Sequence, residues 1–264
     1  MAERKRLAYI VIFLVLVVFT ATFFLLQVGS DWSAAWVIVF YCIIAVFSLV
    51  AVLVAALFSN ASVKYFEDIK MVHVAVVLGA AALMFLISEV CASLLPATLQ
   101  PLSSIPGQDS LATSVLSDIL FTFTMVALAE ELMKFVGYTE FKEYYKKLGN
   151  GKALLIALIP VALWAGFHAI QAYNNIWYVI PAFVDGMILI ALLEYTKAFL
   201  APVIAHGCYN AILILLGYVS TPAGLPFLPR IVTASDFFLI VLCLLWLLLG
   251  IVVPVYLSQK RCSF

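Results

Sequence analysis

The chain has 264 residues, of which 66% are hydrophobic and 11% are charged, and its mean hydropathy is +1.18. This composition excludes an ordinary soluble globular protein and predicts a polytopic membrane protein. Because basic and acidic residues number 14 each, the formal net charge is zero, which gives no electrostatic basis for nucleic-acid binding.

Apolar runs of about 20 residues predict membrane-spanning helices. The fourth run is extended to Tyr145 because a tyrosine pair followed by two lysines is typical of an interfacial anchor. The predicted fold class is therefore all-α, a polytopic membrane protein with eight transmembrane helices. The predicted spans are Leu7–Gln27, Ala34–Phe58, Met71–Leu95, one ending near Tyr145, Ala153–Ile170, Tyr178–Tyr195, Ala198–Tyr218 and Phe237–Leu257.

Lysine and arginine are concentrated in the loops of one side, which predicts that those loops and both termini are cytoplasmic. With this orientation, the external loops contain only Arg230 among the basic residues. No repeat, low-complexity tail or soluble segment interrupts the pattern, so residues 1–264 are expected to form a single transmembrane domain. The expected location is the cell membrane of a prokaryote or an ER-type membrane.

Charged and titratable residues lie deep inside three of the predicted spans. Glu130, Glu131 and Lys134 lie in the fourth span, His168 in the fifth and His206 in the seventh. Charges at such depth cost roughly 2.5 to 3.5 kcal/mol each on insertion scales, which favours a functional site. At about 1.5 Å per residue, Glu130 and His168 lie about 21 and 22 Å from the cytoplasmic face and His206 about 14 Å. The groups are therefore predicted to converge in one layer.

The spacing of these residues predicts a hydrolytic site. On a helix, Lys134 lies within reach of both Glu130 and Glu131, so its ammonium can neutralise one carboxylate and leave the other available. A carboxylate in a low-dielectric setting can accept a proton from water, and a nearby histidine can hold that water. His206 and Asn210 are four apart, and both can donate hydrogen bonds to an oxyanion on a peptide carbonyl. These residues together predict hydrolysis of an amide within the membrane.

Competing designs have weaker support in the sequence. It contains neither an HExxH zinc-protease motif nor a GxSxG serine elbow. Asp118 and Asp185 could form an aspartyl pair, but neither has a glycine on both of its sides. A proton-coupled transporter and a non-catalytic membrane scaffold remain alternatives, because buried carboxylates and histidines also form proton relays. The sequence does not show the internal repeat or the Gly/Pro-broken helix pairs expected of a transporter.

Three short motifs resemble those of the CAAX prenyl endopeptidase and bacteriocin-processing family, the type II CAAX proteases, which are intramembrane glutamate proteases. That family's patterns are a double Glu followed by Arg, an aromatic residue four before a His, and HxxxN. The resemblance covers about residues 121–216, which would form the catalytic core. The matching stretches here are Glu130-Glu131, Trp164-Ala165-Gly166-Phe167-His168 and His206-Gly207-Cys208-Tyr209-Asn210.

The resemblance implies a role for each matching position. Glu130 would be the catalytic carboxylate, and His168 would be its partner in activating water. His206 and Asn210 would shape the oxyanion site, with Glu131 in a supporting role. The implied activity is that of an endopeptidase, a hydrolase cutting a membrane-attached substrate, and a prenylated CaaX-type protein is one such substrate.

One position departs from the family pattern. The family has Arg five residues after the first Glu, where this chain has Phe135, and Lys134 stands one residue earlier. The EExxK spacing is closer to that of the PrsW-type proteases of the same clan, but those have Glu in the second motif where this chain has Gln171. The HxxxN motif favours the CAAX-type family, and the PrsW-type protease is the second choice.

No cofactor is expected, and zinc is the alternative. If zinc were bound, Glu130, His168 and His206 would form a three-ligand site with an open position, as in metalloproteases. The expected partners are membrane lipid and a membrane-attached peptide or lipidated protein substrate, and nucleic acid is not expected.

Overall fold

The computed structural model describes residues 43, 46, 49–50, 53–54, 61–94, 119–120, 122–171 and 179–220. These residues are helical or in short connections, with one isolated bridge between Phe66 and Ala198, so the all-α class is confirmed for them. The eight-span count and the side of the termini stay predictions, and the predicted spans Leu7–Gln27 and Phe237–Leu257 lie outside the described residues. In chain order the elements are a 3₁₀ turn Ser62–Tyr65, α1 Met71–Leu94, a π-helical turn Thr122–Ala127, α2 Leu128–Tyr145, a 3₁₀ turn Lys146–Leu148, α3 Asn150–Ala157, α4 Ile159–Gln171, α5 Val179–Thr196 and α6 Leu200–Ser220.

Two helices in the described part of the chain are long and apolar enough to cross a membrane. They are Met71–Cys91 within α1 and Val179–Thr196, which is α5. Shorter apolar stretches occupy Asn150–Gly166 and Leu200–Leu216. Helices of this length and composition support a helical membrane protein.

The predicted boundaries agree with α1, the end of α2, α5 and α6 to within two residues. The predicted span Ala153–Ile170 corresponds to α3 and α4 together, because the helix is interrupted at Leu158 and continues as α4. Pro160 accounts for the break, since proline has no N–H to donate to the carbonyl four residues earlier and its ring crowds that carbonyl. At the break, the Leu158 N–H donates to both Leu154 O at 3.1 Å and Leu155 O at 3.3 Å.

Helix α6 lies at the centre of the described helices and packs against α1, α2, α5 and the π-helical turn. Alanines on α6 let the neighbouring backbones approach closely, as small residues do between membrane helices. A cluster of buried residues joins α1, α5, the α5–α6 connection and α6, and its members are Val77, Ala80, Met84, Leu189, Leu192, Ala198, Ala201 and Ala205.

Helix α2 is buried over most of its length. Every residue from Leu128 to Glu140 is buried, and these include both carboxylates of the first motif and Lys134. A charged group in such a position must find its partners within the protein, because leaving it unpaired is costly. The contacts made by the first turn of α2 therefore define the candidate site.

The π-helical turn leads directly into α2 two residues before Glu130. Single π-helical turns often occur at functional sites, where the extra residue alters the direction of the side chains that follow. Phe123 of this turn packs against Gly207, which directly follows His206 on α6. The turn that precedes α2 is thus packed against α6 beside His206, through the Phe123 ring and the backbone of Gly207.

A second contact region joins the chain before α1 to the α5–α6 connection. The Glu67 N–H donates to Lys197 O at 3.1 Å, and the Phe199 N–H donates to Tyr65 O at 2.6 Å. The Tyr65 hydroxyl donates to Glu194 at 2.5 Å. The pKa of Tyr65 is raised, mainly because the hydroxyl is buried and also because the Glu194 carboxylate is adjacent. Glu194 also forms an ion pair with Lys197, three residues further along the chain, at 2.7 Å. This region fixes how α5 enters α6.

Replacing Gly207 with alanine tests the close approach at the π-helical turn. A Cβ at this position would overlap the Phe123 ring, so we expect Gly207→Ala to destabilise the fold by about 1 to 3 kcal/mol, as overpacking does. Gly79→Ala on α1 is the matched control, because a Cβ there meets nothing within 4 Å. Alanine's higher helix propensity should leave that variant unchanged or slightly more stable. Equal unfolding midpoints for the two variants in detergent would contradict the expectation.

Candidate active site

The two adjacent carboxylates of α2 are both buried, with Glu130 6% and Glu131 3% exposed. They nevertheless have different partners. Glu131 contacts Lys134 and His206, whereas Glu130 contacts Trp164 of α4. Glu131 is therefore ion-paired, whereas Glu130 accepts a hydrogen bond from a neutral donor.

Glu131 is the carboxylate that Lys134 neutralises. The Lys134 ammonium, in a residue only 1% exposed, forms an ion pair with Glu131 Oε1 but lacks the alignment of a directed hydrogen bond. The same oxygen lies 2.7 Å from His206 Nδ1. Since a paired carboxylate can only accept, His206 Nδ1 donates its proton to Glu131. Glu131 therefore orients His206 and points its Nε2 away from the ion pair.

Glu130 accepts a hydrogen bond from the indole of Trp164. Trp164 Nε1 donates to Glu130 Oε2 at 2.7 Å, within a buried contact between α2 and α4. His206 Nε2 lies 3.9 Å from the same oxygen, outside hydrogen-bonding range. Glu130 thus lies between two helices that carry the second and third motifs.

His168 is one helical turn beyond Trp164 on α4 and is partly buried. Its Nδ1 lies 3.1 Å from Trp164 O, and its ring centroid lies 4.4 Å from that of Trp164 in an edge-to-face arrangement. Because a carbonyl oxygen only accepts, Nδ1 carries the proton in this contact. In the neutral imidazole, the Nε2 lone pair is then available to accept a hydrogen bond.

The structure brings Glu130, His168 and His206 around Trp164, and Glu131 is joined to this group through His206. Asn210 lies one turn beyond His206 on α6 and is partly exposed. Within the part of the chain that the structure describes, its side chain forms no hydrogen bond with the other four residues. Its predicted role in the oxyanion site therefore stays a prediction from its spacing on the helix.

A metal site is not preassembled in this geometry. Across residues 61–94, 122–171 and 179–220, no group of three or more His, Cys, Asp or Glu side chains is arranged to hold a metal ion. The two histidines have their Nδ1 atoms engaged with Glu131 and with the Trp164 carbonyl. The absence of a cofactor and the alternative of zinc bound through Glu130, His168 and His206 both stay predictions.

Comparison with known proteins gives one match. Residues 112–212 match the family model described as type II CAAX prenyl endopeptidase Rce1-like. The predicted family resemblance is confirmed over this segment. The Rce1-like segment contains all five predicted site residues, from Glu130 to Asn210. No curated protein and no solved structure matches the chain.

The departure from the family's arginine has a structural explanation. Phe135, at the position where the family has Arg, packs edge-on against the rings of Tyr65 and Phe66 and lies 4.8 Å from Phe199 between ring centroids. The positive charge beside Glu131 comes from Lys134 instead. In this chain the positive partner of Glu131 is Lys134, the residue before Phe135.

Two features of the site were not predicted. Trp164 was noted only as the aromatic residue of the second motif, and no sequence signal indicated that its N–H would reach Glu130. Asp185 of α5 is buried, and its Oδ1 accepts no hydrogen bond from the described residues. The sole sequence signal for Asp185 was a carboxylate within an apolar run, which does not specify a partner.

Removing the Lys134 charge tests the buried ion pair. Lys134→Met leaves the Glu131 carboxylate without its ammonium, and breaking a buried pair typically costs about 3 to 5 kcal/mol. We expect a loss of that size in equilibrium unfolding in mixed micelles. Adding Glu131→Gln should recover part of it, because the uncompensated charge is then gone.

The matched control is Lys146→Met, which removes another ion pair with the same spacing, to Glu143, in an exposed position. Exposed pairs contribute about 0 to 1 kcal/mol, so this control should unfold almost as the wild type does. A Lys134→Met variant as stable as the control would contradict a buried ion pair.

Proposed function

We propose that the protein is an intramembrane endopeptidase of the CAAX type, which cuts a peptide bond with water activated by Glu130. The family match supports protease activity at the level of the family. The observation that carries the proposal is that two adjacent buried carboxylates have different bonding partners. Glu131 is ion-paired with Lys134, whereas Glu130 accepts from the neutral indole of Trp164. Glu130 therefore keeps the ability to accept a proton from water.

In the first step, water held between Glu130 and His168 attacks the carbonyl carbon of the peptide bond. One water proton passes to Glu130 while the oxygen forms the new bond to carbon, which leaves a tetrahedral oxyanion. The His168 tautomer fixed by Trp164 O leaves Nε2 as an acceptor for the other water hydrogen. This supports His168 as the residue that orients the water.

The oxyanion is stabilised by donors from α6. His206 gives its Nδ1 proton to Glu131, so its Nε2 donates to the oxyanion only when the ring carries both protons. Asn210 supplies the second donor from the next turn of the helix. Collapse of the intermediate breaks the C–N bond, and the proton held by Glu130 passes to the leaving amine.

The substrate class follows from the family and from the burial of the site. We propose a peptide attached to the membrane, of which a prenylated CaaX-type protein is one case, with membrane lipid as the surrounding partner. A buried site between apolar helices favours a scissile bond that enters from the membrane rather than from bulk water. The cell membrane of a prokaryote or an ER-type membrane remains the proposed location.

Cleavage of a fluorogenic prenylated peptide by the purified protein in detergent tests this function. We expect Glu130→Gln, His168→Ala and His206→Ala each to lower the cleavage rate by about 100-fold or more, the scale of general acid–base catalysis. Glu89→Gln is the matched control, because Glu89 is an exposed carboxylate on α1. Wild-type rates in all three site variants would remove the catalytic assignment. Proton-coupled flux in liposomes without any cleavage would favour the transporter.

A chelator tests the zinc alternative in the same assay. Without a metal in the reaction, the wild-type cleavage rate should be unchanged after treatment with a chelator and after addition of zinc. Inhibition by the chelator that zinc reverses would instead establish a metal-dependent reaction. Zinc content measured on the purified protein, before and after Glu130→Gln, provides a readout independent of activity.

A further inference from the structure

Trp164 makes contact with four groups at the centre of the site, Glu130, Lys134, His168 and His206. Its N–H donates to Glu130 Oε2 at 2.7 Å, and its carbonyl accepts from His168 at 3.1 Å. The ring face lies under the Lys134 ammonium, which is 3.5 Å from the ring centroid, and the His206 ring lies edge-on at 6.0 Å between centroids. A phenylalanine ring could make the stacking contacts but has no donor for the hydrogen bond to Glu130.

The ammonium over the ring strengthens the donor on its edge. A cation over an indole face is attracted by the ring's electron density and draws that density toward itself. The N–H at the ring edge is thereby polarised, and a polarised donor forms a stronger hydrogen bond to a carboxylate. Lys134 thus acts on both carboxylates, on Glu131 by direct ion pairing and on Glu130 through the Trp164 ring.

The position of the indole depends on Gly186 of α5. A Cβ at residue 186 would lie 2.5 Å from Val161 Cγ1 and 3.3 Å from Trp164 Cζ3. Both distances are closer than ordinary van der Waals contact, so α4 can lie this close to α5 only because residue 186 has no side chain. The indole is therefore confined from one side by α5 and from the other by Lys134.

We infer that Trp164 is a positioning residue that fixes Glu130 Oε2 and thereby presents Oε1 to the attacking water. The inference rests on the proposed function, in which Glu130 is the general base. With one oxygen bonded to a confined indole, the carboxylate cannot rotate about its terminal torsion, and the basic oxygen keeps one direction. Such orientation is worth a large factor in rate, because misplacement by about 1 Å can cost about 100-fold.

Kinetics of Trp164→Phe test the positioning role with the prenylated peptide assay. We expect kcat to fall by about 10- to 100-fold while KM stays within about two-fold, because substrate binding does not use the N–H. Replacing Trp164 by the isosteric analogue with sulfur in place of the indole N–H should produce the same loss, although it keeps the ring. Thr139→Val is the matched control, since it removes a buried donor of α2 that bonds to Phe135 O. That control should keep the wild-type kcat.

The contact itself is tested by NMR without any activity measurement. In protein labelled with ¹⁵N-tryptophan, the Trp164 indole resonance is the one that Trp164→Phe removes. Glu130→Gln should move this resonance upfield, because a neutral amide oxygen is a weaker acceptor than a carboxylate. Glu89→Gln should leave it in place.

The two measurements separate the failure of this inference from failure of the proposed function. An indole resonance unmoved by Glu130→Gln would overturn the inference even if the protein cleaves peptides. A sulfur analogue with the wild-type kcat would overturn it as well and would leave the protease assignment intact. If the wild type cleaves no peptide while the resonance shifts as expected, the contact is real and the protease function is wrong.

Discussion

The ion pair between Lys134 and Glu131 is the interaction on which the described structure depends. It is buried in the middle of α2, a helix without an exposed residue from Leu128 to Glu140. Two unpaired carboxylates in adjacent positions there would repel each other and resist desolvation. Because one is neutralised inside its own helix, α2 can be enclosed by α3, α4 and α6 while the other carboxylate accepts a hydrogen bond from Trp164.

The two carboxylates of α2 also orient the neighbouring helices. Glu131 binds His206 of α6 through Nδ1, and Glu130 binds Trp164 of α4 through its indole, so each carboxylate ties α2 to a different helix. Polar contacts of this kind, together with small residues such as Gly186 and Gly207, hold membrane helices together where apolar burial alone cannot discriminate between packings. The contacts that hold the fold together and the contacts that shape the site are therefore largely the same.

The sequence was sufficient for the described helices, whereas the contacts between the predicted site residues could be read only from the packed structure. Apolar run length predicted α1, α5 and α6, and the position of Tyr144 and Tyr145 correctly ended α2. The spacing of Lys134 allowed pairing with either glutamate, since residues three and four apart are both neighbours on a helix, so only the packed structure could decide between them. The Trp164 hydrogen bond was beyond prediction for a similar reason, because the rotation of α4 is set by the missing side chain of Gly186 on another helix.

The break at Leu158 has a consequence for how this site can vary. It leaves α4 as a short unit that carries both Trp164 and His168, separated from α3 by a discontinuity in the helical ladder. A tilt of α4 at Leu158 would move the Trp164 N–H and the His168 imidazole together, because both residues are on α4. The hydrogen bond to Glu130 and the position of His168 are therefore coupled, and a substitution near Pro160 that tilts α4 would change both together.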